Sequence, residues 1–406
     1  MTVCAPHGPQ STPQSLPRSA PPEEPRRPAF TVTVDGSYAA WLALGRGTDG
    51  WFPERWTLDG PEPYAVSLPG TQPEEPDSQL LPLSDGRVLI RRRVAERYAL
   101  SLLYPAGPGT GELPLGAIEC PYLCLLPPAP DGRSAYALVH GETQTTLWRV
   151  HGGGSGGPEL LSTVPGRCEG GAWLDRSGRL LALDRELDGL TKAVVVDLGR
   201  GGETSPLLQI TEKSNDRLLL AEPDSGLLLV RSDAPGVDRL GWGVLGSARP
   251  VRFPECLLPA DAELTPFAAR PGQGLAPEDC AVAFRVDQGA GGDWVGVWSA
   301  AAKRLRRFPG PTGWLAGAGL WTASGELRLP FVTASVPCGL ARVPCGLVPV
   351  PMPEEVDELV DELSDPSAAS AMTAVPVPRP PRPVPLQQAP LQQAPLQQAP
   401  PCARTP

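Results

Sequence analysis

The run GGSGG at residues 153 to 157 sets Ser155 in a G-x-S-x-G pattern, the spacing that holds a hydrolase serine on a sharp strand-to-helix elbow. That chemistry needs a helix after the serine. Here a Gly-rich link joins TTLWRV to PELLSTV, so the match is read as accidental. Of the three histidines, His7 falls in a Pro-rich head, while His140 and His151 flank one strand pair. A Ser-His-Asp constellation could draw on either of the last two. The simpler reading makes both ordinary strand-end residues. Cys120 and Cys124 are spaced C-x3-C, and the duplicated VPCGL places Cys338 and Cys345 seven apart; zinc sites instead present two close pairs.

Phosphate chemistry finds as little support. There is no G-x-x-x-x-G-K-[ST] loop, no dinucleotide fingerprint and no H-E-x-x-H, and PAGPGTGELPLG reads as a loop between strands. Two basic clusters remain, Arg91 to Arg93 and Lys303, Arg304, Arg306 and Arg307. Either could receive phosphate or an acidic partner. Arg91 to Arg93 alternate across a strand and cannot share one face, so solvated blade surface is the plainer account. No residue is therefore assigned to catalysis, to a cofactor or to a metal.

The elements that would position such residues repeat. PDGRSAYALVHGETQTTLWRV, residues 130 to 150, is a turn, a strand, a polar link and a second strand, and the same order recurs from VDGSYAAWLAL to ASGELRLPFVT. The turn glycines Gly36, Gly86, Gly132, Gly178, Gly226 and Gly325 are spaced about 48 residues apart if the last gap holds a degenerate copy with Asp279 in the glycine's place, a period suited to propeller blades. A large aromatic follows in five copies: Trp56, Tyr104, Trp148, Trp242 and Trp298. Most of the ten tryptophans are thus expected to have a packing role, and Trp148→Ala is expected to cost on the order of 3–5 kcal/mol if the side chain is fully buried. Helical periodicity is nearly absent between residues 30 and 350, which predicts an all-β, seven-bladed β-propeller over residues 29–351. FTVTV, residues 30 to 34, is expected to complete the last blade.

The blade PDGRSAYALVHGETQTTLWRVHGGG resembles the WD40-like repeats of TolB-type propellers, which also gate prolyl oligopeptidases. The resemblance implies the fold. Two departures keep it from implying either activity: the segment before Phe30 is a short Pro-rich head, and no hydrolase domain is recognised in the sequence.

Around the propeller, residues 1–28 are expected to be disordered, being rich in Pro, Ser, Gln and charge. Residues 352–366 predict a short acidic amphipathic helix, with Val356, Leu359, Val360 and Leu363 at i, i+3, i+4 and i+7. That stripe is the candidate partner-binding surface; capping the chain's own propeller is the alternative. Residues 367–406, with three LQQAP units, predict a disordered Pro/Gln-rich arm.

Net charge is -10, concentrated in the acidic segment, which argues against nucleic acid as a partner. Nine scattered cysteines and the lack of an apolar leader or a long apolar run predict a cytoplasmic chain with reduced thiols and no membrane insertion. The expected function is a monomeric, non-enzymatic scaffold for an unknown protein partner, with no cofactor. The competing reading is a propeller enzyme or small-ligand binder with a site in the central channel.

Overall fold

A computed structural model describes residues 29–345 except 46–49, 155 and 290–291. The acidic stripe Val356, Leu359, Val360 and Leu363 lies outside the described residues, as do both terminal segments. Seven antiparallel sheets follow one another along the chain. Blade 1 is β1 (Thr31–Val32), β2 (Tyr38–Leu44), β3 (Trp51–Thr57) and β4 (Tyr64–Ser67). Blade 2 is β5 (Gln79–Pro82), β6 (Val88–Val94), β7 (Arg97–Ala106) and β8 (Gly109–Glu119). Blade 3 is β9 (Tyr122–Leu125), β10 (Ala135–His140), β11 (Gln144–His151) and β12 (Glu159–Pro165). Blade 4 is β13 (Arg167–Trp173), β14 (Leu180–Leu187), β15 (Leu190–Asp197) and β16 (Glu203–Leu208). Blade 5 has β17 (Asp216–Glu222), β18 (Leu227–Ser232) and β19 (Arg239–Val244), with one bridge from Trp242 to Arg252 in the outer position. Blade 6 is β20 (Glu263–Ala269), β21 (Val282–Asp287), β22 (Asp293–Trp298) and β23 (Leu305–Pro309). Blade 7 is β24 (Leu320–Trp321), β25 (Leu327–Phe331) and β26 (Gly339–Val343).

The repeated turn explains the spacing of the glycines. Asp35, Asp85 and Asp131 each accept the N–H two residues ahead, at 3.1, 3.0 and 2.9 Å. The next glycine's N–H closes each turn onto the carbonyl three residues back. All six turn glycines have φ between 66 and 83°, the left-handed region where a Cβ is costly. In the degenerate copy Asp279 ends a 3₁₀ turn, Pro277–Asp279, which does the same work without a glycine.

Alternation within the strands then gives each sheet two apolar faces. Ala135 and Ala137 of β10 pack toward blade 2, while Tyr136 and Leu138 pack toward blade 4. The first strands β1, β5 and β9, and again β13, β17, β20 and β24, pack on one another in succession along the axis. The duplicated VPCGL brackets β26. It sends Cys338 into the packing with blade 1 and Cys345 into the packing with blade 6.

Three expectations need correction. β1 pairs with β2, in the register Thr31↔Ala40 and Val32↔Ala39, and does not complete blade 7. The DG turn ties it locally, and the ring is closed by side chains: Phe30, Val32, Ala39 and Trp56 of blade 1 pack on Leu320, Val332 and Leu340 of blade 7. PAGPGTGELPLG forms the tip and return strand of the long β7–β8 hairpin and is not a loop. The five repeat aromatics also differ in burial. Trp56, Trp242 and Trp298 are buried, Trp148 is half-buried, and Tyr104 is exposed because it lies far out on that hairpin.

Trp56 seals the first and last blades and is fully buried, so Trp56→Ala is expected to cost about 3–5 kcal/mol in denaturant melts. Trp148→Ala should cost clearly less. Equal costs would contradict these packing roles.

Candidate functional site

Most of the residues singled out from the sequence are occupied structurally. Arg91 is 3% exposed; it donates to the carbonyls of Leu123 and Asp77 and stacks on Tyr98, so it clamps blade 2 to blade 3. Arg92 is held by Glu74 and Glu112. Arg91 and Arg92 are therefore committed to partners within the protein and Arg91 is no solvated surface residue, while Arg93 is exposed. In the second cluster Arg306 donates to the Cys345 carbonyl and Arg307 pairs with Asp261 at 2.7 Å. Lys303 and Arg304 are exposed.

Ser155 is outside the described residues. Among the described residues no serine hydroxyl is hydrogen-bonded to a histidine, and Ser134 Oγ donates instead to Asp131 Oδ2 at 2.6 Å. Thiol chemistry is unfavourable as well. Burial pushes the Cys168 and Cys345 thiols up to about 11 and Cys338 up to about 12, the last also beside Glu54, so none is a thiolate at neutral pH. Among the described residues no group of three His, Cys, Asp or Glu could hold a metal ion.

The arrangement that can do chemistry lies on the inner side of blade 4. Glu169 of β13 stands opposite Asp184 of β14 in the ladder. Pairing then breaks and resumes at Ala172↔Ala182, leaving a bulge of Gly170 and Gly171 with φ of 74 and 136°. A Cβ on Gly170 would stand 3.5 Å from Asp184 Oδ2, and one on Gly171 would strike Leu126 at 2.6 Å. The two glycines leave the axial strand bare of side chains beside the Asp184 carboxyl.

Asp184 is 6% exposed and accepts one hydrogen bond among the described residues, from the Leu218 N–H of blade 5 at 2.8 Å. Burial lifts its pKa to about 6, against the pull of that N–H and of the Arg217 charge. A second buried carboxylate nearby, Asp216, behaves oppositely. It takes hydrogen bonds from Lys192 Nζ, Ser214, Ser232 and the Ile210 N–H, at 2.8, 3.0, 2.6 and 3.0 Å. Burial alone would raise it too, but these donors together hold it below the ordinary carboxylate range. Asp216 is a charged anchor; Asp184 is poised to exchange a proton near neutral pH.

Guanidinium groups surround the site. Arg167 donates to Glu169 Oε1 at 3.0 Å, and Arg217, which also donates to Thr191 Oγ1 at 3.2 Å, lies 3.7 Å from Glu169 Oε2. From blade 3, His140 is buried and stacks on Tyr122 with centroids 5.1 Å apart. Burial and the Arg167 charge lower its pKa, so it is a neutral imidazole at neutral pH, and neither ring nitrogen makes a hydrogen bond of good geometry. Sequence reading missed Asp184 and Glu169, which lie in no motif. The only available signal was the pair Gly170-Gly171 inside a strand.

No family model matches the chain, and no curated protein does. Solved structures match over the propeller. Oligogalacturonate lyase from Vibrio parahaemolyticus is 12% identical, covering 78% of this chain and 89% of its own, with a TM-score of 0.52. A puromycin-hydrolysing peptidase of Mycobacterium tuberculosis is 17% identical over 78% of this chain, with a TM-score of 0.51; this chain spans 51% of its length. The propeller domain of the Trilobed protease from Pyrococcus furiosus, described as having an open velcro topology, is 10% identical with a TM-score of 0.50, over 78% of this chain and 93% of its own. The expected likeness to TolB is found too, at a TM-score of 0.41 with the Acinetobacter baumannii protein. At such identities the likeness establishes the propeller fold. It also corrects the expectation of a non-enzymatic scaffold, because the matched propellers belong to a lyase, a peptidase and a protease.

The Asp184 environment has a measurable cost. Its folded pKa of about 6 lies above the unfolded value of about 4, so between these limits the folded chain binds more protons and stability falls as pH rises. The cost is complete above the folded pKa. Asp184→Asn, whose amide oxygen can still accept the Leu218 N–H, is therefore expected to gain on the order of 2 kcal/mol over wild type between pH 4 and pH 7. Chemical denaturation across that range checks this; a difference independent of pH would contradict it.

Proposed function

We propose that the chain is a propeller enzyme that performs acid–base chemistry on a small anionic substrate at the axial face of blade 4. One observation carries this reading: a buried carboxyl with a pKa of about 6, Asp184, lies beside a side-chain-free glycine bulge on the axial strand. A general base works best when its pKa lies near the working pH, and about 6 meets that condition where an ordinary aspartate does not.

The substrate's negative group is received by Arg217 and Arg167, whose present partner, Glu169, is exposed and exchangeable. Neutralising a carboxylate acidifies the C–H beside it, and Asp184 takes that proton. Proton abstraction next to a carboxylate is the first half of a β-elimination. The likeness to a lyase, which this chain matches over most of that protein's length, supports the class of reaction while leaving the saccharide open. The protonated Asp184 then passes that proton to the departing oxygen, so abstraction and departure balance on one carboxyl.

Turnover of oligogalacturonides and of other uronate-bearing saccharides, followed by the ultraviolet absorbance of the unsaturated product, tests the proposal. Asp184→Asn is expected to lower kcat by about 10²–10⁴-fold with KM little changed, and kcat/KM of wild type should fall off below a pH of about 6. An Asp184→Asn chain as active as wild type would contradict the assignment, and so would a wild-type chain inert toward every such saccharide.

A further inference from the structure

The cleft between blades 5 and 6 has a chemistry of its own, away from Asp184. Blade 5 lacks a regular outer strand. In its place Arg252 makes a two-way bridge to Trp242, both N–O distances 2.9 Å, and the chain then turns through the 3₁₀ segment Glu255–Leu257. This departure opens a cavity of about 400 Å³ between the two sheets, a size that fits a small-molecule ligand.

The lining is aromatic on one side and cationic on the other. Trp242 and Trp298 meet edge to face with centroids 6.4 Å apart, Phe253 lines the wall, and the Arg252 guanidinium stands 5.2 Å from the Trp242 ring. Trp298 is 1% exposed, yet its indole Nε1–H has no hydrogen-bond partner. A buried donor left open in this way loses the hydrogen bond it had in water and gains nothing in return. Lys303 borders the cavity, is exposed, and pairs with no carboxylate among the described residues.

The backbone at Lys303 adds an independent sign. Its φ is 54°, in the left-handed region, at the close of a turn in which its N–H reaches Ser299 O at 3.2 Å. A lysine is strained there where a glycine would be at ease. The one acidic side chain at the rim, Glu255, points to solvent and is paired with Arg239 at 2.8 Å, so the cavity keeps an uncompensated positive charge.

We propose that this cleft is a binding site for a planar aromatic anion, its rings against Trp242, Trp298 and Phe253 and its carboxylate on Lys303. The site does not rest on the channel reading, and the two can fail separately.

The probe is 2-naphthoate, titrated into the full chain by calorimetry and by quenching of tryptophan fluorescence, with the neutral 2-naphthalenemethanol beside it. Saturable binding at one site per chain is expected. Lys303→Gln should weaken 2-naphthoate about tenfold while leaving the alcohol unchanged, and Ala300→Trp, which fills the cavity, should abolish both. Absence of saturable binding to wild type would overturn the proposal. So would Lys303→Gln binding the naphthoate as tightly as wild type.

Discussion

The constraint on which the structure depends is that each sheet has two apolar faces and no water-facing side. A blade alone would expose one of its two clusters, and only a neighbour on each side removes both from water. Seven such interfaces close a ring, and the last of them, between blades 1 and 7, is held by side chains around Trp56 with no strand shared between the ends. Closure therefore depends on packing at one seam.

Chemistry concentrates where the packing rule is broken. Three inner strands, β13, β17 and β20, break their ladders; in β13 the break falls at Gly170 and Gly171, and the carboxyl beneath is left with a single donor among the described residues. Blade 5 breaks the rule at the other edge, where the outer strand gives way to one bridge and a short turn. In both places an irregularity leaves polar atoms less satisfied than the surrounding sheets do. Asp216 shows the contrast. It is buried in the same blade pair, but four donors hold it charged and inert.

The fold was legible because its signals are local. A turn that needs Asp to accept an N–H and Gly to take a positive φ writes itself into adjacent residues, and it recurs wherever a blade begins. Closure and site were not legible for the opposite reason. Whether β1 joins β2 or the last blade is decided between segments about 300 residues apart, and FTVTV reads the same in either place. Arg91 looked like one of three surface arginines because nothing in RRR tells which side chain a neighbouring blade will cover. Asp184 sits in LLALDREL, a strand with nothing to mark it. Its raised pKa comes from burial, which outweighs the Leu218 N–H and the Arg217 charge that the packing of blade 5 on blade 4 brings near.

The most direct test of this account is the titration of the Asp184 carboxyl itself. Selective ¹³C labelling of aspartate carboxyls, with the resonance assigned by its loss in Asp184→Asn, would follow the group through acid to neutral pH. A midpoint near 6 is the result the structure predicts. A midpoint at or below about 4 would show an ordinary carboxylate, and the acid–base role of blade 4 would fall with it.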